Sequence, residues 1–580
     1  MKKHNFLCLF LLLIISCHTE KNESNPEYPQ KIVFPANNAE FQENQIIDFI
    51  SQGTISRPVW ISSIDGNIGN GKSIRCSLSV GTHLITINNA DNRPQITIHV
   101  KEVGEIRRFI PMQGVNEILF SPGKYSGICV STSSQGQLSA LTFKNIAKSR
   151  NLKKQSKTEM NNLLPRPAIR CPKNLLVSPT RSFNAQTIPH TYSVGDKRTF
   201  RVANLQNGTQ SQPDIIEAKL ICDTGNAYFW VESEETISES DLHILQTSLE
   251  QLILPHLETL FGKAKDLDND KHISLLFTKT LNNGNYAIGF FNPSDLFPYV
   301  ANSNAENYNP TSNEMDILYL GIPDNTRFAF SVHSICATIA HELQHLIHFS
   351  LKTFSRYENA DPNPPEEELF IDEGLAHLAE TLCGFGISGG TIAFAEKFYS
   401  APHNYSLIYE DISGINDNTG KRGAIAMFLC RLFEQKGAAV YDNEVLTSDG
   451  GIGFLRTLVR SSETGWEGLG NAFGENADIL FKNWVEELLM IQCGLCSDYR
   501  PMYHPTTKEL TNFPLFAGEI EISDSVSCFL NGLGKIENDT VSLLPYSFCF
   551  VNNLTFEQKG NFIVELNEEN RNLLCSFYRH

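Results

Sequence analysis

The chain reads as multidomain: a β-sandwich near the N terminus, a large α+β domain built around two helices with polar faces, and a small C-terminal β domain. Three observations predict this. The 580 residues exceed what one hydrophobic core ordinarily serves. Short β-like runs divided by turn residues occupy 30–103 and return in the last eighty residues. Between them, over about 191–500, the apolar residues recur at helical spacing in longer segments.

Taken in order, residues 1–16 form an export signal. Lys2 and Lys3 are followed by an apolar run, Phe6 to Ile15, too short for a stable membrane helix. The run ends in Ile14-Ile15-Ser16-Cys17, which resembles a bacterial lipobox, and the chain turns polar at once from His18. That resemblance implies a mature protein held to a membrane by lipid on Cys17, with 17–29 as a tether. The residue after Cys17 is not acidic, which points to the outer membrane or the cell surface of the envelope.

Within 30–103, Val59-Trp60-Ile61, Leu84-Ile85-Thr86-Ile87 and Ile96-Thr97-Ile98 are strand-like runs at sandwich spacing. The stretch from Trp60 to Gly71, with Leu78 to His83, resembles the Ig-like modules of bacterial surface proteins. The region 104–190 begins with further β-like runs and ends in a basic, then Pro-, Asn- and Ser-rich stretch, 146–190, which reads as a linker open to proteolysis. Leu242, Leu245, Leu249 and Leu252 predict a helix that Pro255 kinks or interrupts. The domain 191–500 closes near Cys493-Gly494-Leu495-Cys496, read as a structural pair, and 501–580 is expected as a separate β domain.

Charge limits the function. There are 47 Lys and Arg against 65 Asp and Glu, a net charge of −18, so no nucleic-acid partner is expected. Twelve cysteines remain after Cys8 leaves with the signal and Cys17 takes lipid; Cys336, Cys383 and Cys430 sit in apolar helical contexts and read as buried hydrophobes.

The chemistry is concentrated in Ala340-His341-Glu342-Leu343-Gln344-His345. Histidines four apart on a helix project about 40° from one another, so both imidazoles reach adjacent corners of a zinc tetrahedron. Glu342 is one step round, near enough to serve a metal-held water without being a ligand. With 16 His in the chain, chance would produce this pattern only about 0.03 times. A second helix, Phe370 to Leu382, carries Glu373, His377 and Glu380 on one face and Ile371, Leu375, Leu378 and Leu382 on the other. Two such helices would close a three-ligand site. His348 shares the ligand face of the first and reads as support or packing.

HELQH followed by a helix with Glu373-Gly374-Leu375-Ala376 resembles the gluzincins, thermolysin-like metallopeptidases. The closer resemblance is to the hyicolysin-like peptidases, over about 195–435. It takes in Asp266 to Asp270, Gly289-Phe290-Phe291 with Asp295-Leu296-Phe297, Ser312 to Tyr319, and Gly423 to Leu429. It implies zinc held by His341, His345 and Glu373, Glu342 as catalytic base, and a protein or peptide substrate. Asp372 stands where the family often has Asn, and Arg422 where a Tyr is common. His377, Glu380 and Arg422 are therefore the candidates for supporting the ligands or steadying the oxyanion. By the same analogy, an extended substrate would lie along a strand near Met315 to Leu320.

Asp266, Asp268 and Asp270 alternate as calcium ligands do, but the EF-hand pattern wants Gly at Lys271 and Glu at Phe277. A Ca2+ site and a polar turn before a buried strand are both open. Two functions likewise follow: an exported, lipid-anchored zinc metalloendopeptidase, or a surface binding lipoprotein whose peptidase domain keeps its metal and little activity.

Overall fold

The computed structural model describes residues 29–492 and 540–579 with interruptions, the longer ones at 133–138, 145–168, 177–190, 206–210, 410–416 and 567–571. The signal segment, Cys17, most of the tether and the Cys493–Cys496 pair lie outside the described residues. Among the described residues no helix is long and apolar enough to cross a membrane.

Residues 31–101 form two sheets, one of three strands and one of five. Strand alternation turns Phe49, Trp60, Ile85, Ile87, Ile98 and Val100 into the space between them.

A second sandwich corrects the expected division of the chain. One of its sheets runs Gly114–Phe120, Gly560–Leu566, Ser139–Lys144, Thr540–Leu543; the other runs Ser547–Phe556, Gly123–Ser131, Leu573–Arg579, Ile106–Phe109. Strands from before and after the helical domain thus alternate within each sheet, and 104–190 and 501–580 do not form separate β units. They share one core, in which Phe120, Tyr125 and Leu141 meet Phe562, Val564 and Phe577. The reason is energetic. Either four-strand set alone would leave one apolar face and several backbone edges uncovered, and interleaving closes both. The sandwich is fastened to the helical domain by Arg108, whose guanidinium donates twice to Glu486 at 2.8 and 3.0 Å.

The domain between is built on a mixed six-stranded sheet in the order Lys197–Val202, Asp214–Asp223, Ala227–Glu232, Ile273–Phe277, Ile317–Leu320, Gly289–Phe291. Its three middle strands are parallel, and Gly289–Phe291 closes one edge antiparallel. Phe229, Val231, Leu275, Phe277, Leu318 and Leu320 face the helices, and Tyr228, Trp230, Leu276 and Tyr319 face the opposite side. The helix predicted around Leu242 to Leu260 does not break at Pro255. It passes through a π-helical turn, Leu249–Ile253, which accommodates the missing proline N–H, and continues as Leu254–Leu260.

Met315 to Leu320 is not the open edge expected for a substrate. Ile317–Leu320 is an interior strand flanked on both sides, and the edge belongs to Gly289–Phe291. A hairpin-like return was not visible in the sequence because twenty-five residues of loop separate these two strands. Part of the expected linker is also ordered. Ile169 to Leu176 packs on the helical domain, where Cys171 N–H donates to Glu366 Oε1 at 3.0 Å and Asn174 Nδ2 donates to the Tyr308 carbonyl at 3.1 Å.

Candidate metal centre

The helix Val332–Phe349 starts at Ser331, whose hydroxyl caps the Ser334 N–H at 3.3 Å. It lies against the edge strand because Gly289 lets it: a Cβ there would come within 2.6 Å of Thr338 Cγ2. That approach brings the Phe291 N–H to 2.9 Å from Glu342 Oε2. The second helix, Leu369–Leu382, presents Glu373 with Gly374 behind it, where a Cβ would sit 2.7 Å from Ile425 and Leu429 of the helix Thr419–Gln435. His341, Glu373, His377 and Glu380 are fully buried between these three helices. The Glu342, His345 and His348 side meets a cleft, whose wall includes Phe291, Pro293, Glu366 and Asp372 with Ile169 and Arg170.

His341, His345 and Glu373 each place a ligand atom within 4.8 Å of the other two. Glu373 Oε2 is 3.5 Å from His341 Nε2, and Glu373 Oε1 is 4.0 Å from His345 Nε2. Both Nε2 atoms are buried and make no hydrogen bond. The opposite nitrogen of His341 is held, Nδ1 donating to Glu380 Oε1 at 2.6 Å, while His345 Nδ1 is an ion-pair neighbour of Asp372 Oδ2 at 3.1 Å. For His341 this is the arrangement that keeps the Nε2 lone pair directed at a cation.

Burial drives the His341 imidazolium well below its usual range against the pull of Glu380. Burial acts the same way on His345, but Asp372, then Glu373 and Glu342, outweigh it and raise that ring to about 9. Burial would raise the Asp372 carboxyl; instead His345 and His348 hold it well below the usual carboxylate range.

The supporting residues fall into place around this set. His348 Nδ1 donates to Asp372 Oδ1 at 2.9 Å, so one carboxylate joins two histidines of the first helix. His377 Nδ1 is 3.0 Å from Glu380 Oε1. His341, His377 and Glu380 form a second grouping that could hold a metal ion. The His341–Glu380 hydrogen bond already fills the space between those two residues, so the Nε2 side of His341 is the better cation position. Arg422 is buried with Nη1 2.6 Å from Glu373 Oε2, and its Nε and Nη2 donate to Asp417 at 2.9 and 2.6 Å.

Sequence reasoning missed three participants: Asp372 as the anchor of His345, Asp417 behind Arg422, and the Phe291 amide on Glu342. Adjacency to Glu373 was a usable signal for Asp372; the other two had none.

The acid triplet changes membership. The grouping able to hold an ion is Asp266, Asp268 and Asp316, not Asp266, Asp268 and Asp270. Asp270 turns one oxygen to its own loop, accepting the His272 N–H at Oδ1, 2.8 Å, and Asp316 arrives from the start of the neighbouring strand.

No family model matches the chain, and no curated protein matches it. Among solved structures it is similar over 13% of its length to the fibronectin(III)-like modules of Clostridium thermocellum CbhA, at 19% identity, a TM-score of 0.12 and 96% coverage of that chain.

Proposed function

We propose that this chain is a zinc metalloendopeptidase of the gluzincin type, exported and tied to the cell envelope by lipid on Cys17. The observation that carries the reading is the pair of buried His341 and His345 Nε2 atoms, without hydrogen bonds, converging on Glu373 beside Glu342. The donor set of two imidazoles and one carboxylate suits zinc with one position left open. Bound there, zinc supplies an acidified water and polarises a carbonyl.

The rest falls to the chain. Glu342, oriented by the Phe291 N–H, takes the proton from the attacking water and returns it to the leaving amine. Glu380 and Asp372 hold the two imidazoles in register, and Arg422 holds Glu373. Phe291, at the end of the edge strand, lines the cleft in which an extended peptide would lie.

The second reading, a binding lipoprotein of little activity, has one observation in its favour: Arg422 already engages the carboxylate a cation needs. Casein cleavage by residues 18–580 beside Glu342→Gln, with zinc measured on both, separates the two. Activity only in the parent, with one zinc in each, supports the peptidase. One zinc in both and no cleavage by either supports the binding protein, and no zinc in either removes the site. For the anchor, Cys17→Ala should release the protein from the membrane fraction.

A further inference from the structure

The loop Asp266–Lys271 gathers negative charge, which His272 meets at Asp270, 3.9 Å from its Oδ1. Its neighbouring lysines are engaged elsewhere, Lys263 with Glu258 and Lys265 with Glu358. Asp266, Asp268 and Asp316 bring carboxylate oxygens within 4.8 Å of one another. Asp266 Oδ1 and Asp268 Oδ1 are buried atoms that accept no hydrogen bond. Asp270 is a further, separate case: it is 6% exposed, its Oδ2 accepts no hydrogen bond, and its carboxylate is turned against that of Asp268. Four carboxylates this close repel one another if all are ionised, and the backbone N–H donors to Asp316 and Asp270 offset that less fully than a cation would.

We propose that Asp266, Asp268 and Asp316 bind one calcium ion, with Asp270 completing the negative field around it. The donors are all oxygen, which excludes the soft and nitrogen-preferring metals and suits a hard cation. The two mismatches with the EF-hand pattern are answered by the fold. The Gly of that pattern is needed for a sharp turn, and Lys271 adopts the same left-handed conformation, φ 67°, with Asn269 at φ 58°. The distant acid of the pattern falls on Phe277, a core residue, and its role passes to Asp316. Asp316 is held at the loop by two backbone bonds: the Leu267 N–H donates to its Oδ1 at 3.1 Å, and the Ser274 N–H to its carbonyl at 3.0 Å. The ion would clasp the loop to the strand Ile317–Leu320, which carries the edge strand next to Glu342.

The test is calcium titration of the zinc-loaded mature chain by calorimetry, beside Asp268→Asn and Asp316→Asn. The expected result is one calcium per chain, with Kd on the order of 10⁻⁵–10⁻³ M and magnesium at least tenfold weaker. Saturating calcium should raise Tm by several degrees. Both variants should bind at least tenfold more weakly and lose that rise, with zinc content unchanged. In calcium-free buffer Asp268→Asn should melt at or above the parent, because one of the crowded charges is gone. That reversal of sign is not expected of an acidic patch that holds no ion. Should a variant fail to fold, terbium luminescence decides on the parent alone. Tyr228, stacked on His272 at 4.0 Å beside the loop, is the sensitiser, and calcium should displace the signal. No calcium binding at 10 mM, no terbium signal, or binding unchanged in both variants would overturn the proposal.

Discussion

The histidine centre and the aspartate loop both bury acid side chains, and they balance the charge in opposite ways. In the histidine centre each carboxylate has a cationic or proton-donating neighbour: Glu380 takes His341, Asp372 takes His345 and His348, and Glu373 takes Arg422. In the loop, carboxylates face carboxylates. A third case, Asp295, is fully buried beneath the edge strand and accepts from Asn313 N–H at 2.7 Å and Tyr319 O–H at 2.8 Å. Burial pushes its carboxyl up to about 7 despite those bonds, so it holds a proton more tightly than a free carboxyl does. The comparison teaches that a buried acid is not by itself a catalytic sign; its nearest donors tell its use.

The largest expected effect is at Glu342. Glu342→Gln should lower peptide hydrolysis about a thousandfold while zinc content stays at one per chain, measured by casein assay and metal analysis. Retained activity would remove the base from the scheme and leave the two regions alike in having only structural acids.

Asp295 comes next. Its folded-state carboxyl sits at about 7 against 3.8 unfolded, so the folded chain binds that proton more tightly. The resulting stability is complete below about pH 4 and is lost as pH rises towards 7. At about 1.4 kcal/mol per unit, the loss is on the order of 4 kcal/mol. Urea unfolding of metal-free protein across pH 4–7 should show this slope in the parent and a flatter one in Asp295→Asn. Equal slopes would mean that Asp295 stays ionised in the fold.

Glu380→Ala removes the acceptor that fixes His341, and metal affinity should fall about 10–100-fold in competition with a chelator. Asp372→Asn keeps the shape and one acceptor oxygen, so a smaller loss, about tenfold or less, is expected from the same measurement. If the order of these two is reversed, His345 rather than His341 is the ligand that depends more on its support.

His341, Glu342, His345 and Glu373 were legible because their geometry is local. The 3.6-residue period places the first three, and a second amphipathic helix supplies the fourth. Trp60 and the runs around Ile85 and Ile98 were legible as sandwich strands for the same reason, a period of two. Arg422 was noticed only as an odd residue, and its reach to Glu373 depends on how closely the helix Thr419–Gln435 packs at Gly374. The interleaving of Gly123–Ser131 between Ser547–Phe556 and Leu573–Arg579 left no local trace, because strand partners more than four hundred residues apart obey the same alternation as neighbours.

By itself the sequence determined the export signal as an expectation, the β or helical character of the described stretches named above, and the residues on two helices that could hold a metal ion. Each of these depends on spacing within a few turns of chain, which backbone geometry makes rigid. Tertiary structure alone decided that Gly289–Phe291 is the edge beside Glu342, that Asp316 joins Asp266 and Asp268, and that the two ends of the chain build one sandwich. These are long-range choices, made by which apolar faces and backbone edges can be covered together, and no short window of sequence records them.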